Sequence, residues 1–297
     1  MRRVEFTAPG WNFDGVLIRL IMKIRFTALL LLLACLQCGP RIQAQESTTT
    51  ISDLKALVSR INDKLHAGKK TQADLAPEID AFNELIEKHK SEKTDDTAQI
   101  VLMKAMLYLE VFEDNAAGTA IIRQLKQEYP DTRAGKSADA ILANVQRQEQ
   151  ARQIQQTLLV GAKFPDFQEK DVDGKALSPS NYKGKVLLVD FWATWCGPCM
   201  FELPNVIKAY EKYHDKGFEI IGVSLDESEV KLKSFLKDKN ITWQQYFDGS
   251  RWENKLAQKY GVEGIPATFL IDGEGKIIGR NLRGEQLEQA LTTALHP

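Results

Sequence analysis

Cys196 and Cys199 stand two residues apart in Asp190-Phe191-Trp192-Ala193-Thr194-Trp195-Cys196-Gly197-Pro198-Cys199. On a helix that spacing puts the sulfurs one turn apart on the same face, within disulfide reach. At a helix start, free N–H groups and the positive end of the dipole favour a thiolate. The chemistry this pair suits is thiol–disulfide exchange. Cys196, at the exposed helix start, is expected to attack a disulfide, and Cys199, one turn deeper, to resolve the mixed disulfide. Resolution needs a proton acceptor near Cys199, and two acids are placed for it. Glu202 lies three residues beyond on the same helical face. Asp190 sits inside an apolar strand, where an unpaired carboxylate is costly to bury.

Other uses of the cysteines fit less well. A structural disulfide over so short a loop ties down little chain. Zinc would need two further ligands, and the four histidines, His66, His89, His214 and His296, form no H-x(3–5)-H pair. Haem attachment would require histidine after the second cysteine, where Met200 stands. No metal and no cofactor beyond the Cys196–Cys199 disulfide is expected.

The elements that must position this pair follow from the flanking sequence. The apolar run Val186-Leu187-Leu188-Val189 reads as a buried strand. A helix is expected from about Cys199 to Tyr213, entered through a tight turn at Gly197, with Pro198 in the first turn. Trp195 is expected to shield Cys196 and pack against substrate.

The motif resembles the active-site signature of thioredoxins. Its longer context, roughly residues 160–297, resembles the extracytoplasmic TlpA/ResA-like thiol-disulfide oxidoreductases. Val160-Gly161-Ala162-Lys163-Phe164-Pro165-Asp166-Phe167 is similar to the opening segment of that group and of the AhpC/TSA-related redoxins. Gly264-Ile265-Pro266-Ala267-Thr268 resembles the loop whose proline is cis and faces the cysteines. The resemblance implies that Ile265 offers its backbone to an extended substrate strand while Pro266 withholds an amide hydrogen. With Trp195, Gly197 and Pro198 these form the expected substrate surface. By the same resemblance, Asp190 matches the buried acid of thioredoxins and Glu202 the acid of the extracytoplasmic branch. Carrying both departs from either simple pattern.

The chain as a whole, 297 residues, is long enough for two domains, and a net charge of −1 without a basic patch gives no sign of nucleic-acid binding. Residues 1–44 read as a targeting segment. Met22-Lys23-Ile24-Arg25 and the apolar stretch from Ala28 make a basic and a hydrophobic region, with Met22 a candidate true start. Cleavage near Ala44 is expected, a lipid anchor on Cys35 being the rival, and either exports the protein. Residues 45–158 form a helical domain. Its apolar stripes begin with Ile51, Leu54, Leu57, Ile61 and Leu65 and continue in paired helices that faintly resemble tetratricopeptide hairpins. His66 and His89, near helix ends, read as solvated caps. Residues 159–297 alternate strands and helices before a closing hairpin, an α/β thioredoxin-like fold with a mixed sheet.

The expected function is thiol-disulfide oxidoreduction, most simply the reduction of disulfides in exported proteins. The resemblance implies an apocytochrome c client and a membrane thiol transporter as electron donor. A peroxidase is the nearest rival, although Thr194-Trp195-Cys196 lacks the Thr-x-x-Cys spacing of a peroxidatic site. A scaffold working through the helical half, with docking or self-association there, is the reading from another class. The direction of exchange, reduction or oxidation, is open in the sequence.

Overall fold

The structure is a computed structural model that describes residues 46–295. The segment expected to carry the targeting signal, with Met22, Cys35 and Ala44, lies outside the described residues. Contacts divide the chain into two units between Val145 and Gln146.

The N-terminal unit is helical. It contains α1 (Glu46–His66), α2 (Ala76–His89), α3 (Asp95–Met106), α4 (Asn115–Glu128) and the first turns of α5 (Arg133–Thr157). Thr94 and Asp114 cap α3 and α4 by accepting from the amides of Thr97 and Ala117. Leu54, Leu57, Ile61, Phe82 and Ile100 form one core cluster and Ala98, Ile122, Leu125 and Tyr129 a second. The run that begins with α3 does not stay α-helical. After Met106 it widens into a π-helical turn, Leu107–Val111, which seats Leu109 so closely on Gly118 that a Cβ there would meet its side chain at 2.4 Å. His89 is not a solvated cap. It is buried, with Nδ1 2.8 Å from Glu92 Oε1 and Nε2 3.4 Å from Thr50 Oγ1.

The C-terminal unit is built on a five-stranded sheet. After a small antiparallel pair, β1 (Glu169–Lys170) and β2 (Ala176–Leu177), come β3 (Val186–Trp192), α6 (Gly197–Tyr213), β4 (Phe218–Ser224) and α7 (Glu229–Asp238). Then follow β5 (Gln245–Phe247), α8 (Lys255–Lys259), β6 (Ala267–Ile271), β7 (Ile277–Arg280) and α9 (Gly284–Leu295). Strand order is β5-β4-β3-β6-β7, with β3, β4 and β5 parallel and β6 and β7 antiparallel to their neighbours. This is the thioredoxin-like mixed sheet flanked by helices. β3 is central and, Asp190 apart, apolar on both faces, as a strand covered by helices on each side must be. The helical stretch from Arg251 to Lys259 is interrupted at Asn254. That residue leaves helical geometry at ψ 126° and caps α8 through bonds from the amides of Leu256 and Ala257.

The division between units falls inside α5 rather than at Leu158, because the last turns of that helix pack within the C-terminal unit. Ala151 and Leu158 are buried, Gln155 donates to the Tyr260 carbonyl at 2.5 Å and also meets Arg280, and Arg147 pairs with Glu253 at 2.6 Å. Among the described residues no helix is long and apolar enough to cross a membrane.

Gly261 fixes how closely this helix approaches. Its φ is +61°, and an added Cβ would lie 2.5 Å from the Ala151 carbonyl oxygen. Gly261→Ala should therefore destabilise the C-terminal unit by about 1–3 kcal/mol in urea denaturation, through overlap and backbone strain together. Gly174→Ala shares a positive φ of +82° but meets nothing within 4 Å, and should lose distinctly less.

Candidate active site

β3 delivers the cysteines, and the turn that follows it is held from β4. The parallel register sets Trp192 beside Ser224, which brings the loop after β4 level with the loop after β3. The buried carboxylate of Asp226 then takes up Thr194, accepting from its amide at 3.2 Å and from its hydroxyl at 2.6 Å. Ser224 Oγ donates to the same carboxylate at 2.8 Å. One residue on, Trp195 Nε1 donates to the Leu225 carbonyl at 3.3 Å.

The helix α6 starts at Gly197, earlier than expected, because Cys196 itself is its N-cap. The Cys199 amide donates to Cys196 Sγ at 3.2 Å. One of the otherwise unpaired donors of the helix start is thus aimed at the sulfur itself. The two sulfurs are joined in a disulfide with the Cα atoms 5.2 Å apart. Cys196 is not the exposed thiol that its place at a helix start suggests. It is 5% exposed, with Sγ turned towards Cys199 and lying 3.7 Å from the Ile265 carbonyl oxygen. The Ile265–Pro266 bond is cis.

Around this buried disulfide the surface is open. Gly197 and Pro198 are exposed, and nothing lies within 4 Å of a Cβ built at Gly197. Trp195 is 44% exposed. Its ring packs edge-on against Trp252 at 5.9 Å, under the Arg251 guanidinium at 5.3 Å. Phe201, on the same face of α6 one turn beyond Gly197, is 85% exposed.

Behind Cys199 lies a small cavity of about 10 Å³, the space of one water molecule. Asp190, Glu202, Pro266, Thr268 and Arg283 contribute to its lining. Both acids singled out in the sequence therefore meet at Cys199. Glu202 is buried, and its carboxylate accepts from the Gly284 amide at the start of α9 at 2.7 Å and from Asn205 Nδ2 at 3.1 Å. Arg283 donates to the Pro266 carbonyl at 2.5 Å and to Thr268 Oγ1 at 3.2 Å. Among the described residues no cluster of three or more histidine, cysteine or acidic side chains could hold a metal.

The Redoxin family profile matches residues 159–295. The thiol-disulfide oxidoreductase ResA of Bacillus thuringiensis subsp. konkukian is 36% identical over 132 residues, covering 44% of this chain and 74% of the relative. ResA of Bacillus subtilis is 34% identical over 118 residues, covering 40% and 64%. Among solved structures, the thioredoxin domain of a thiol-disulfide oxidoreductase from Bacteroides vulgatus superposes with a TM-score of 0.43 at 33% identity, covering 47% of this chain and 99% of that one. The chain belongs to the ResA-like thiol-disulfide oxidoreductases. It is a redoxin enzyme with a C-x-x-C disulfide, and a helical unit precedes its thioredoxin-like fold.

Two groups of this ResA-like site escaped the sequence reading. Asp226 follows an apolar strand directly, and an acid there, level with the end of a parallel neighbour, is the one local signal of its role. Arg283 gives none, since a single arginine before a glycine is ordinary surface sequence.

The electrostatics of the cavity centre on Asp190. It is half-buried by accessible surface, yet it lines the narrow cavity and protein packs densely around it. Desolvation pushes its pKa up to about 7, the Glu202 charge adds to the rise, and the Arg283 charge opposes it. The native state therefore holds more protons than the unfolded chain between the ordinary value of 3.8 and about 7. Stability must fall as pH rises through that window and level off above it. In urea denaturation of the oxidised protein, wild type should lose on the order of 2–4 kcal/mol across it, and Asp190→Asn should not. An equal loss in both proteins would contradict this account of Asp190.

Proposed function

We propose that this enzyme reduces disulfides of exported proteins through the Cys196–Cys199 dithiol, with Cys196 as nucleophile and Cys199 as resolving thiol. The observation that carries the assignment is the Cys199 amide directed at Cys196 Sγ at the N-cap of α6. That bond and the helix dipole favour negative charge on Cys196 and do nothing comparable for Cys199. In the reduced enzyme the Cys196 thiolate attacks one sulfur of a client disulfide, and the other client sulfur leaves as thiolate. Cys199 then loses its proton and attacks Cys196 Sγ, which releases the second client sulfur. The enzyme is left with its disulfide and the client with two thiols, so two electrons have moved and no further cofactor is needed.

The client is read as an extended segment laid against the Ile265 and Pro266 backbone, flanked by Trp195, Gly197 and Pro198. The openness of the surface at Gly197 and the exposed Trp195 support this reading. Asp190 is the proton acceptor for Cys199 in this scheme, through the cavity that both groups line, and Glu202 keeps its proton affinity high. The basic and apolar segments after Met22, read as an export signal, support a reaction outside the cytoplasm. In this reading a membrane thiol donor supplies the electrons and an apocytochrome c is the client class, both as the family resemblance implies.

Cys199→Ser should accumulate mixed disulfides through Cys196, whereas Cys196→Ser should not. Non-reducing gels after exposure to a disulfide client distinguish them, and equal trapping by both variants sinks the assignment of roles. In single-turnover kinetics, Asp190→Asn should slow resolution by Cys199 more than attack by Cys196, by about 10²-fold for a lost general base. Equal effects on both steps would make Asp190 structural.

A further inference from the structure

Arg283 belongs to none of the motifs that define the site, yet it touches two of its working parts. It lies between the end of β7 at Arg280 and the start of α9 at Gly284. One guanidinium nitrogen donates to the Pro266 carbonyl at 2.5 Å. A second donates to Thr268 Oγ1 at 3.2 Å and to the Leu282 carbonyl at 2.8 Å. Thr268 is the β6 residue directly paired with Asp190 across the β3–β6 ladder. The same side chain lines the cavity with Asp190, Cys199 and Glu202.

We propose that Arg283 is a positioning residue for the exchange reaction, a single cation that clamps the cis-proline loop on one side and faces the buried acid behind Cys199 on the other. The proposal rests on the dithiol reading above and adds a link between client docking and proton transfer. The three oxygens that Arg283 bonds are uncharged, so its positive charge is left to act on the cavity. The charged or titratable groups facing Asp190 are Cys199 and Glu202 from α6 and Arg283 from the loop before α9. Its partners in β4 and β6, Gly222 and Thr268, carry none. Glu202 raises the proton affinity of Asp190 and Arg283 lowers it, so Arg283 is the counterweight that keeps the acid able to accept a proton near neutral pH. The fork geometry matters separately. A planar guanidinium can hold Pro266 and Thr268 from two nitrogens at once, and a lysine ammonium at the same place would not hold both in that geometry.

Charge and fork are separated by Arg283→Lys and Arg283→Gln in the full-length protein. Two readouts are followed: the Asp190 titration midpoint in the oxidised protein, by carboxyl-carbon NMR, and the kinetics of insulin reduction. Arg283→Gln should raise the midpoint by about one unit, with the pH profile of resolution moving the same way and resolution at pH 7 falling up to tenfold. Arg283→Lys should keep the midpoint within about half a unit of wild type while raising KM for insulin several-fold, because the loop has lost its clamp. An unmoved midpoint and an unmoved KM in Arg283→Gln would overturn the proposal. Should the glutamine variant not fold, the lysine variant decides: an unchanged KM there overturns the clamp. Failure of the dithiol reading looks different, since wild type would then not reduce insulin at all while the Asp190 midpoint still responded to Arg283.

Discussion

The bond from the Cys199 amide to Cys196 Sγ, 3.2 Å long, requires a strand, a turn and a helix start to arrive together within tenths of an ångström. β3 supplies the strand and is held on both sides, parallel to β4 and antiparallel to β6. Because the ladders fix where β3 ends, they fix where the turn begins. The turn is then held at Thr194 by Asp226 and at Trp195 by the Leu225 carbonyl, both from the end of β4. A buried carboxylate accepting three donors is stable only while all three stay in place, so its desolvation cost enforces the geometry of the turn. The helix needs no separate device to start: the cysteine sulfur is its cap, and chemistry and capping are the same interaction.

Placing the acids behind Cys199 has a different logic. Burial alone favours a neutral Asp190, and a second carboxylate nearby favours it further. Left to those two effects the acid would hold its proton too tightly to serve as a base at neutral pH. Charges of opposite sign in one small cavity oppose each other strongly because little water screens them. A single cation at Arg283 therefore outweighs what its surface counterparts achieve elsewhere in the protein. Glu202 is in turn tied down by the first amide of α9, so Glu202, the last helix and the cis-proline loop are joined in one polar network beside Asp190.

What the sequence made legible was whatever depends on near neighbours along the chain. The Cys196–Cys199 spacing, Pro198 in the first turn, Glu202 on the cysteine face and Asp190 inside an apolar strand are all statements about residues a few positions apart. The cis loop at Pro266 was legible only through family resemblance, since nothing in Gly264–Thr268 alone demands it. Asp226 and Arg283 were invisible because their partners, Thr194 and Pro266, are reached only after the sheet has formed. The same distance effect explains the helical half. Apolar stripes gave the helices, but His89 looked like a surface cap until Thr50 and Glu92 were folded around it. The helical domain was expected to end at Leu158, whereas Ala151, Gln155 and Gly261 show that the last turns of α5 already belong to the redox unit.

The two cysteines are almost equally buried, at 5% and 4% exposure, so accessibility does not distinguish their roles. Their surroundings do. Cys196 faces an amide hydrogen and the open ground of Gly197 and Pro198, an environment that stabilises an anion and admits a second chain. Cys199 faces a cavity the size of one water molecule with a protonatable acid across it, an environment that opposes a standing anion but accepts a transferred proton. An attacking thiol gains from being ionised before its client arrives, and a resolving thiol from staying neutral until the mixed disulfide has formed. The asymmetry of the proposed reaction thus resides in the electrostatics on either side of one disulfide, which is why the fold devotes an anchored turn to one sulfur and a buried charge network to the other.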